Sequence, residues 1–395
     1  MDPGARADRR TDGRTDTRRH GGQLALRRAS ATRPALFAAA LLLTAVAGAA
    51  AAQGTVSASR TAATGVAAPP GYEWHLPRGF PTPAVPADNP MSDSKVALGE
   101  RLFFDVRLSL NGRYSCASCH DPARSFSDGR AVAVGATGAP LPHNAMALVN
   151  VAYNVSFGWA HPQVTSLETQ MLEPLLNQHP IELGVAGRES ELCAQLAADP
   201  GYAAAFAAAF PPPRASPPSG ATPVTFAHLV QAIASFERTL ISGRSPFDAY
   251  VFGGDHAALS EEAKRGMALF FSARVGCARC HSGFNFAGNW RDSEGTTGPA
   301  SFANNGTSAT PMRVPTLRNV ALTAPYMHDG RFATLDAVLE HYSALARRRA
   351  SGERLDPRLP QALLTDTERA ELHAFLDSLT DESFVRRFAS RAATP

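Results

Sequence analysis

The short pattern Cys-x-x-Cys-His occurs twice and constrains the fold of this chain more than any other feature. The first motif is Cys116–His120 and the second motif is Cys277–His281. This spacing attaches a c-type haem, because two thiols form thioethers with the porphyrin and the adjacent histidine ligates the iron. The alternative is a zinc ribbon, in which two Cys-x-x-Cys pairs share one metal ion. The long separation and the histidine after each pair favour haem. The sequence therefore predicts two covalently bound haem c groups, held by Cys116, Cys119, His120, Cys277, Cys280 and His281.

The N-terminal region has the pattern of an export signal. An arginine-rich polar stretch (1–34) precedes a short apolar run (35–52) that ends in small residues. We expect 1–52 to be a cleaved signal peptide and the mature protein to be periplasmic, not integral to the membrane. A membrane anchor is the alternative, but the run has only the length of a signal-peptide core. The leader's arginines also explain the net charge of +3. The remainder is slightly acidic, which argues against a nucleic-acid partner.

The rest of the chain is predicted to be mainly α, with two cytochrome c-like haem domains in tandem. A Pro/Ala/Gly-rich arm (53–90) would precede an N-terminal haem domain (91–242) and a C-terminal haem domain (243–385). Similar amphipathic segments with a glycine before a Phe-Phe pair precede the two motifs, which indicates an internal duplication. No convincing run of alternating strand residues occurs. Helical spacing is found at 94–104, 189–209, 225–242, 262–271, 333–346 and 365–379.

Further motifs in a fixed order identify a family resemblance. They lie at 144–159, 166–174, 179–184 and, most distinctively, at 315–330, where the chain reads Pro-Thr-Leu-Arg-Asn-Val-Ala-Leu-Thr-Ala-Pro-Tyr-Met-His-Asp-Gly. With the haem motifs, about residues 90–380 resemble the bacterial di-haem cytochrome c peroxidases, especially the MauG/MbnH-like branch. The resemblance implies that the N-terminal haem reacts with peroxide.

The resemblance also implies roles for several residues near that first haem. Glu182 matches the catalytic glutamate, which would move a proton during cleavage of the peroxide bond. Gln170 and Pro174 match positions that line the same pocket. Conventional members carry a histidine after the first motif that occupies the iron at rest, and the corresponding loop (121–142) has none. We therefore expect an open first haem, with the three nearby histidines acting as surface or hydrogen-bonding residues: His143, His161 and His179.

At the second haem, the resemblance implies a different axial ligand from the usual one. Conventional members place a methionine where this chain has Tyr342, and MauG-like enzymes have tyrosine there. A phenolate oxygen would stabilise oxidised iron. His341 and Met327 remain alternatives. Consecutive helical residues point about 100° apart, so His341 and Tyr342 cannot both reach one iron.

Other matching positions lie between the haems. Trp159 matches a tryptophan that relays oxidising equivalents, and the ligands of a Ca²⁺ ion match Asn144, Thr323 and Pro325. Two departures are visible. The segment 159–182 is three residues longer than usual, and the loop 282–312, which contains Trp290, has no assignable role.

The expected function is a di-haem peroxidase or oxidase that uses H₂O₂ to oxidise an exported electron donor or a residue of a protein substrate. A conventional peroxidase that detoxifies H₂O₂ with electrons from a small cytochrome is the first alternative. A non-enzymatic electron carrier, with both haems six-coordinate, is the second.

Overall fold

A computed structural model describes residues 72–212, 224–297, 302–303 and 310–389. The predicted signal peptide and the first part of the arm (53–71) lie outside these ranges. Within them no helix is both long and apolar enough to cross a lipid bilayer. The helices in these ranges are α1 (Asp93–Phe103), α2 (Leu167–Leu176), α3 (Glu189–Ala197), α4 (Pro200–Ala209), α5 (Phe226–Glu237), α6 (Pro246–Val251), α7 (Glu261–Phe271), α8 (Leu335–Ala350), α9 (Asp366–Asp377) and α10 (Glu382–Ala389).

The mainly α prediction is confirmed, and most predicted helices begin at a capping residue. Ser92 accepts a hydrogen bond from the Lys95 amide at the start of α1. Thr365 and Glu368 form a capping box at the start of α9. Such side chains satisfy amide groups that have no partner inside the helix.

The segment 189–209, which shows helical spacing, contains two helices. The segment forms α3 and α4, because Asp199 caps a new helix that starts with Pro200. Proline lacks the amide hydrogen that a continuous helix would need at this position. The long loop before 312 also contains two small antiparallel hairpins that the sequence did not indicate. Their strands are β1 (Trp290–Asp292) with β2 (Gly295–Thr297), and β3 (Phe302–Ala303) with β4 (Met312–Arg313).

The two duplicated segments pack in the same way. A Cβ atom added to Gly99 of α1 would lie 1.9 Å from the Ala232 carbonyl oxygen of α5. A Cβ atom added to Gly266 of α7 would lie 1.8 Å from the Glu371 carbonyl oxygen of α9. Each glycine thus lets two helix backbones approach more closely than any side chain permits.

Two main apolar clusters form around these helix pairs. The first cluster joins α1 to α5 and contains Cys116 of the first motif. The second cluster joins α6 to α9, and Cys277 of the second motif packs against it. The last helix, α10, returns to the first cluster, where Phe388 packs on Phe126 with ring centroids 5.4 Å apart. Each motif therefore lies against its own apolar cluster.

The described part of the arm (72–90) is extended and lies on this body. Phe80 is buried, and its ring lies 4.8 Å from that of Phe284 and 6.2 Å from that of Tyr153. The Tyr153 hydroxyl donates a hydrogen bond to the Pro81 carbonyl. The arm thereby covers the aromatic side chains that follow both motifs.

Candidate haem sites and acid–base pocket

The histidines of the two motifs are held by the same hydrogen bond. Nδ1 of His120 donates to the Phe126 carbonyl at 2.9 Å, and Nδ1 of His281 donates to the Phe286 carbonyl at 3.0 Å. Burial lowers the pKa of both imidazoles, which favours the neutral form. A neutral imidazole whose Nδ1–H is engaged has its Nε2 lone pair available, as an iron ligand requires.

The two carbonyl partners adopt an uncommon backbone conformation. Phe126 has φ +62° and Phe286 has φ +51°, in the left-handed region that residues other than glycine seldom enter. Phe126 lies 5.8 Å from Phe103 of α1, and Phe286 lies 5.8 Å from Phe270 of α7, between ring centroids. The duplicated Phe-Phe helix thus anchors the residue that orients the haem histidine in both halves.

The described residues do not assemble the ligands of the alternative zinc site. Among the described residues, no group of three or more His, Cys, Asp or Glu side chains could hold a metal ion. Burial also raises the pKa of Cys119 to about 11 and of Cys277 to about 12. Buried thiols of this kind are neutral at neutral pH.

A large apolar cavity adjoins the second motif. Its empty volume is about 1630 Å³, including the part open to solvent, and its lining includes Cys277, Cys280 and His281. Arg313 also lines it, with 7% of its surface exposed and no partner for Nε. Desolvation lowers the pKa of Arg313 to about 10, so the guanidinium remains cationic at neutral pH. A buried cation without an acidic partner requires an anion, and haem supplies propionates. The residues present therefore fit a haem.

Tyr342 lines the same cavity as His281, and so does Met327. His341 does not belong to this lining, and its ring instead lies 5.1 Å from that of Phe332. The cavity thus contains two of the three sequence-predicted candidates for the axial ligand, the phenol and the thioether.

Trp159 also lines this cavity, and hydrogen bonds hold both its side chain and its backbone. Its indole N–H donates to the Asn144 carbonyl at 2.8 Å, and its own carbonyl accepts from the Arg313 amide at 2.7 Å. The His328 ring lies 6.4 Å from the indole. Trp159 therefore connects the loop that follows the first motif to the cavity of the second.

The three residues of the predicted Ca²⁺ site share this region. Asn144, Thr323 and Pro325 all line the cavity. Nδ2 of Asn144 lies 3.4 Å from the Pro325 carbonyl oxygen and 2.6 Å from that of Arg130. The Thr323 hydroxyl donates to the Val320 carbonyl.

Glu182 is partly buried near the first motif. Burial, followed by the charge of Glu173, raises the pKa of Glu182 to about 7. The charge of Glu182 in turn raises the pKa of the thiols of Cys116 and Cys119, so the carboxyl group lies within electrostatic range of the haem attachment site. A carboxyl group that is half ionised near neutral pH can both accept and return a proton.

Backbone hydrogen bonds hold the Glu182 segment against α2 and the first-motif loops. The Glu182 carbonyl accepts from the Ala136 amide at 2.6 Å, and the Leu183 amide donates to the Pro174 carbonyl at 2.9 Å. Gln170 and Pro174 lie one helical turn apart and therefore share a face of α2. The structure thus places Pro174 against the Glu182 segment, with Gln170 one turn earlier on the same face of α2.

The three histidines near the first site have different surroundings. His161 is exposed and forms an ion pair with Glu173. His143 is partly buried, with its ring 5.7 Å from that of His328, and its buried Nδ1 has no hydrogen-bond partner. His179 is exposed.

Sequence reasoning missed the carbonyl partners Phe126 and Phe286 and the buried Arg313. The repeated Phe-Phe pair indicated the duplication but not the left-handed conformation of the later phenylalanines. Arg313 lies two residues before the 315–330 motif, and nothing in its sequence neighbourhood indicates that it is buried.

Comparison with known proteins decides the family. Residues 93–256 match the model of the di-haem cytochrome c peroxidase family CCP_MauG. The methylamine utilization protein MauG of Methylorubrum extorquens is 37% identical over 306 residues, which cover 75% of this chain and 81% of that protein. The chain belongs to the di-haem cytochrome c peroxidase family. It is therefore an oxidoreductase that acts on peroxide and carries two haem c groups.

Two further relatives support this assignment. The cytochrome-c peroxidase IdrP1 of Denitromonas iodatirespirans is 36% identical over 341 residues, covering 76% of this chain and 85% of that protein. The crystal structure of a MauG-like protein associated with microbial copper homeostasis superposes with a TM-score of 0.72 at 37% identity. It covers 80% of this chain and 97% of the other. The fold of tandem cytochrome c-like domains is thus confirmed.

Proposed function

We propose that this protein is a MauG-like peroxidase that uses H₂O₂ to oxidise an external electron donor or a side chain of a protein substrate. When bound, the two haems supply the metal centres that react with peroxide and hold oxidising equivalents. His120 and His281 would be the iron ligands, since the Phe126 and Phe286 carbonyls hold the two imidazole rings through Nδ1.

Glu182 moves the proton in this proposal. Its ionised carboxylate accepts a proton from one oxygen of peroxide and returns it to the other as the O–O bond breaks. Its raised pKa suits both steps, because neither form is strongly favoured near pH 7. Gln170 and Pro174 shape the pocket from the adjacent face of α2.

Trp159 carries oxidising equivalents between the two halves. Its indole N–H is held by the Asn144 carbonyl and its ring borders the second cavity. Asn144, Thr323 and Pro325 would bind Ca²⁺ and so stabilise the loop on which Trp159 depends. We place the protein in the periplasm, where its donor or substrate would be exported as well.

The observation that carries the proposal is the position of Tyr342. It shares the cavity with His281, and an oxygen ligand there would stabilise oxidised iron. A centre of this kind favours storage of oxidising equivalents over rapid reduction by a small cytochrome. Met327 lines the same cavity, which is the observation in favour of a conventional peroxidase as the second candidate.

Spectroscopy of the ferric holoprotein and of Tyr342→Phe separates the two candidates. With a Tyr342 ligand, the wild type lacks the near-infrared charge-transfer band of a thioether–iron bond, and the variant changes the spectrum of one haem. A thioether band in the wild type that persists in Tyr342→Phe would support Met327 and the conventional peroxidase. Met327→Leu serves as the matched variant, because it removes the thioether and leaves the phenol.

A further inference from the structure

The loop that carries His161 is fixed at both ends. The Phe157 amide donates to the Val164 carbonyl at 2.9 Å, and the Val164 amide donates to the His161 carbonyl at 3.2 Å. Phe157 and Val164 are both buried in an apolar cluster with Leu167 of α2. Trp159, in the same loop, is held by its indole hydrogen bond. The His161 backbone is therefore anchored although its side chain is half exposed.

The imidazole of His161 pairs with a carboxylate at the end of α2. Its Nδ1 lies 3.2 Å from Oε1 of Glu173, and the two side chains are 51% and 28% exposed. Glu173 lies in the last turn of α2, where the carbonyl end of the helix disfavours negative charge. His161 places a hydrogen-bonding partner on this carboxylate.

Glu173 is also coupled to Glu182, through a hydrogen bond between neighbouring residues and through its charge. The residue after it, Pro174, accepts a hydrogen bond from Leu183, the residue after Glu182. The charge of Glu173 also acts on Glu182. The imidazole is thus half exposed, whereas the carboxyl groups of Glu173 and Glu182 are both partly buried.

We propose that His161 and Glu173 are positioning residues that deliver protons from solvent to Glu182. This inference rests on the proposed function. Reduction of one H₂O₂ to two H₂O consumes two electrons, which the donor supplies, and two protons, which must enter from solvent. Glu182 alone can shuttle a proton between the two oxygens but cannot replace the protons that leave as water. A titratable pair that extends to the surface supplies them.

The charged groups around the pair are few in the part of the chain that the structure describes. Glu182 is influenced by Glu173, and its own charge acts on the two thiols of the first motif, which become uncharged thioethers on haem attachment. The imidazole of His161 faces Glu173, with a weaker electrostatic contact to His143. A change at Glu173 should therefore be transmitted mainly to its two neighbours.

Two variants of the holoenzyme test the proposal. His161→Gln retains a hydrogen-bonding group but cannot accept and release a proton. We therefore expect kcat to fall about tenfold while kcat/KM for peroxide stays within about twofold of the wild type. Added imidazole buffer should restore kcat. Glu173→Gln removes a negative charge, so the ionisation midpoint of Glu182 should move down by about half a pH unit or more. That midpoint is read from the carboxyl infrared band of resting holoenzyme, with Glu182→Gln as the reference.

The matched control is His373→Gln. His373 pairs with Asp336 at 2.8 Å on the surface of α9 and α8, and its replacement should change neither kcat nor the Glu182 midpoint. The inference is overturned if His161→Gln keeps wild-type kcat, if buffer fails to restore it, or if Glu173→Gln leaves the midpoint in place. Failure of the proposed function would look different, because Glu182→Gln itself would then react with peroxide at the wild-type rate.

Discussion

The clearest consequence of the structure is a pH dependence that belongs to Glu182. Burial and the charge of Glu173 raise its pKa from 4.5 to about 7. Because the reaction with peroxide needs the ionised carboxylate as base, its rate should rise with pH and level off above the pKa. About half of the carboxyl groups are ionised at pH 7 and about 1% at pH 5, so the rate should fall about 50-fold between them.

The assay is stopped-flow absorption of the ferric holoenzyme mixed with H₂O₂ between pH 5 and 8.5. Glu182→Gln should be slower by about 10²- to 10⁴-fold at pH 8 and should show no midpoint near 7. Glu191→Gln is the control, because Glu191 is an exposed glutamate paired with Arg188. A Glu182→Gln protein that reacts within threefold of the wild type, or that retains the midpoint, would refute the assignment.

The raised pKa of Glu182 also affects folding stability, which should fall with rising pH whereas the reaction rate rises. The folded protein keeps a proton on Glu182 that the unfolded chain releases, so folding stability decreases as pH rises from about 4.5 to 7. The shift corresponds to at most about 3 kcal/mol, reduced by the partial exposure of the side chain. Denaturant unfolding of Glu182→Gln should lack this part of the decrease. An unchanged pH profile would show that the carboxyl is not effectively buried.

Further predictions concern the second haem and the packing of the two halves. Tyr342→Met should raise the reduction potential of one haem in a redox titration, because a thioether favours ferrous iron; an unchanged potential would contradict ligation by Tyr342. Gly99→Ala and Gly266→Ala should each destabilise the protein by about 3 kcal/mol or more in denaturant melts, since the added Cβ would lie within 2 Å of a backbone oxygen. A loss of stability below about 1 kcal/mol would contradict this packing. Asp248→Asn should lower the thermal midpoint, because it leaves the buried Arg318 guanidinium 2.6 Å from a neutral partner. The expected loss of stability is about 3–5 kcal/mol. Equal stability would show that this ion pair is not buried.

Local chemistry made much of the helical framework predictable. The caps at Ser92 and Thr365 and the apolar spacing after them are determined by residues a few positions apart, so α1 and α9 could be assigned from the sequence. The break at Asp199–Pro200 was also encoded locally, but the apolar spacing continued across it and concealed it.

The features that complete the sites depend on contacts between distant segments. The left-handed conformation of Phe126 is set by its hydrogen bonds and ring packing in the folded chain, and no local pattern indicates it. Likewise, the influence of Glu173 on Glu182 requires the Pro174–Leu183 hydrogen bond that folds the segment back onto α2. From the sequence alone, Arg313 would be expected at the surface. Only the fold places it in the lining of an apolar cavity.

Electron paramagnetic resonance of the resting ferric holoprotein, with haem quantified in the same sample, tests the central claim most directly. We predict two haems per chain, one giving a high-spin signal from an open iron at His120, and one with a signal that changes in Tyr342→Phe. Addition of one equivalent of H₂O₂ should then abolish the high-spin signal in the wild type and leave it in Glu182→Gln. A single haem, or two low-spin haems that do not react with peroxide, would contradict the claim.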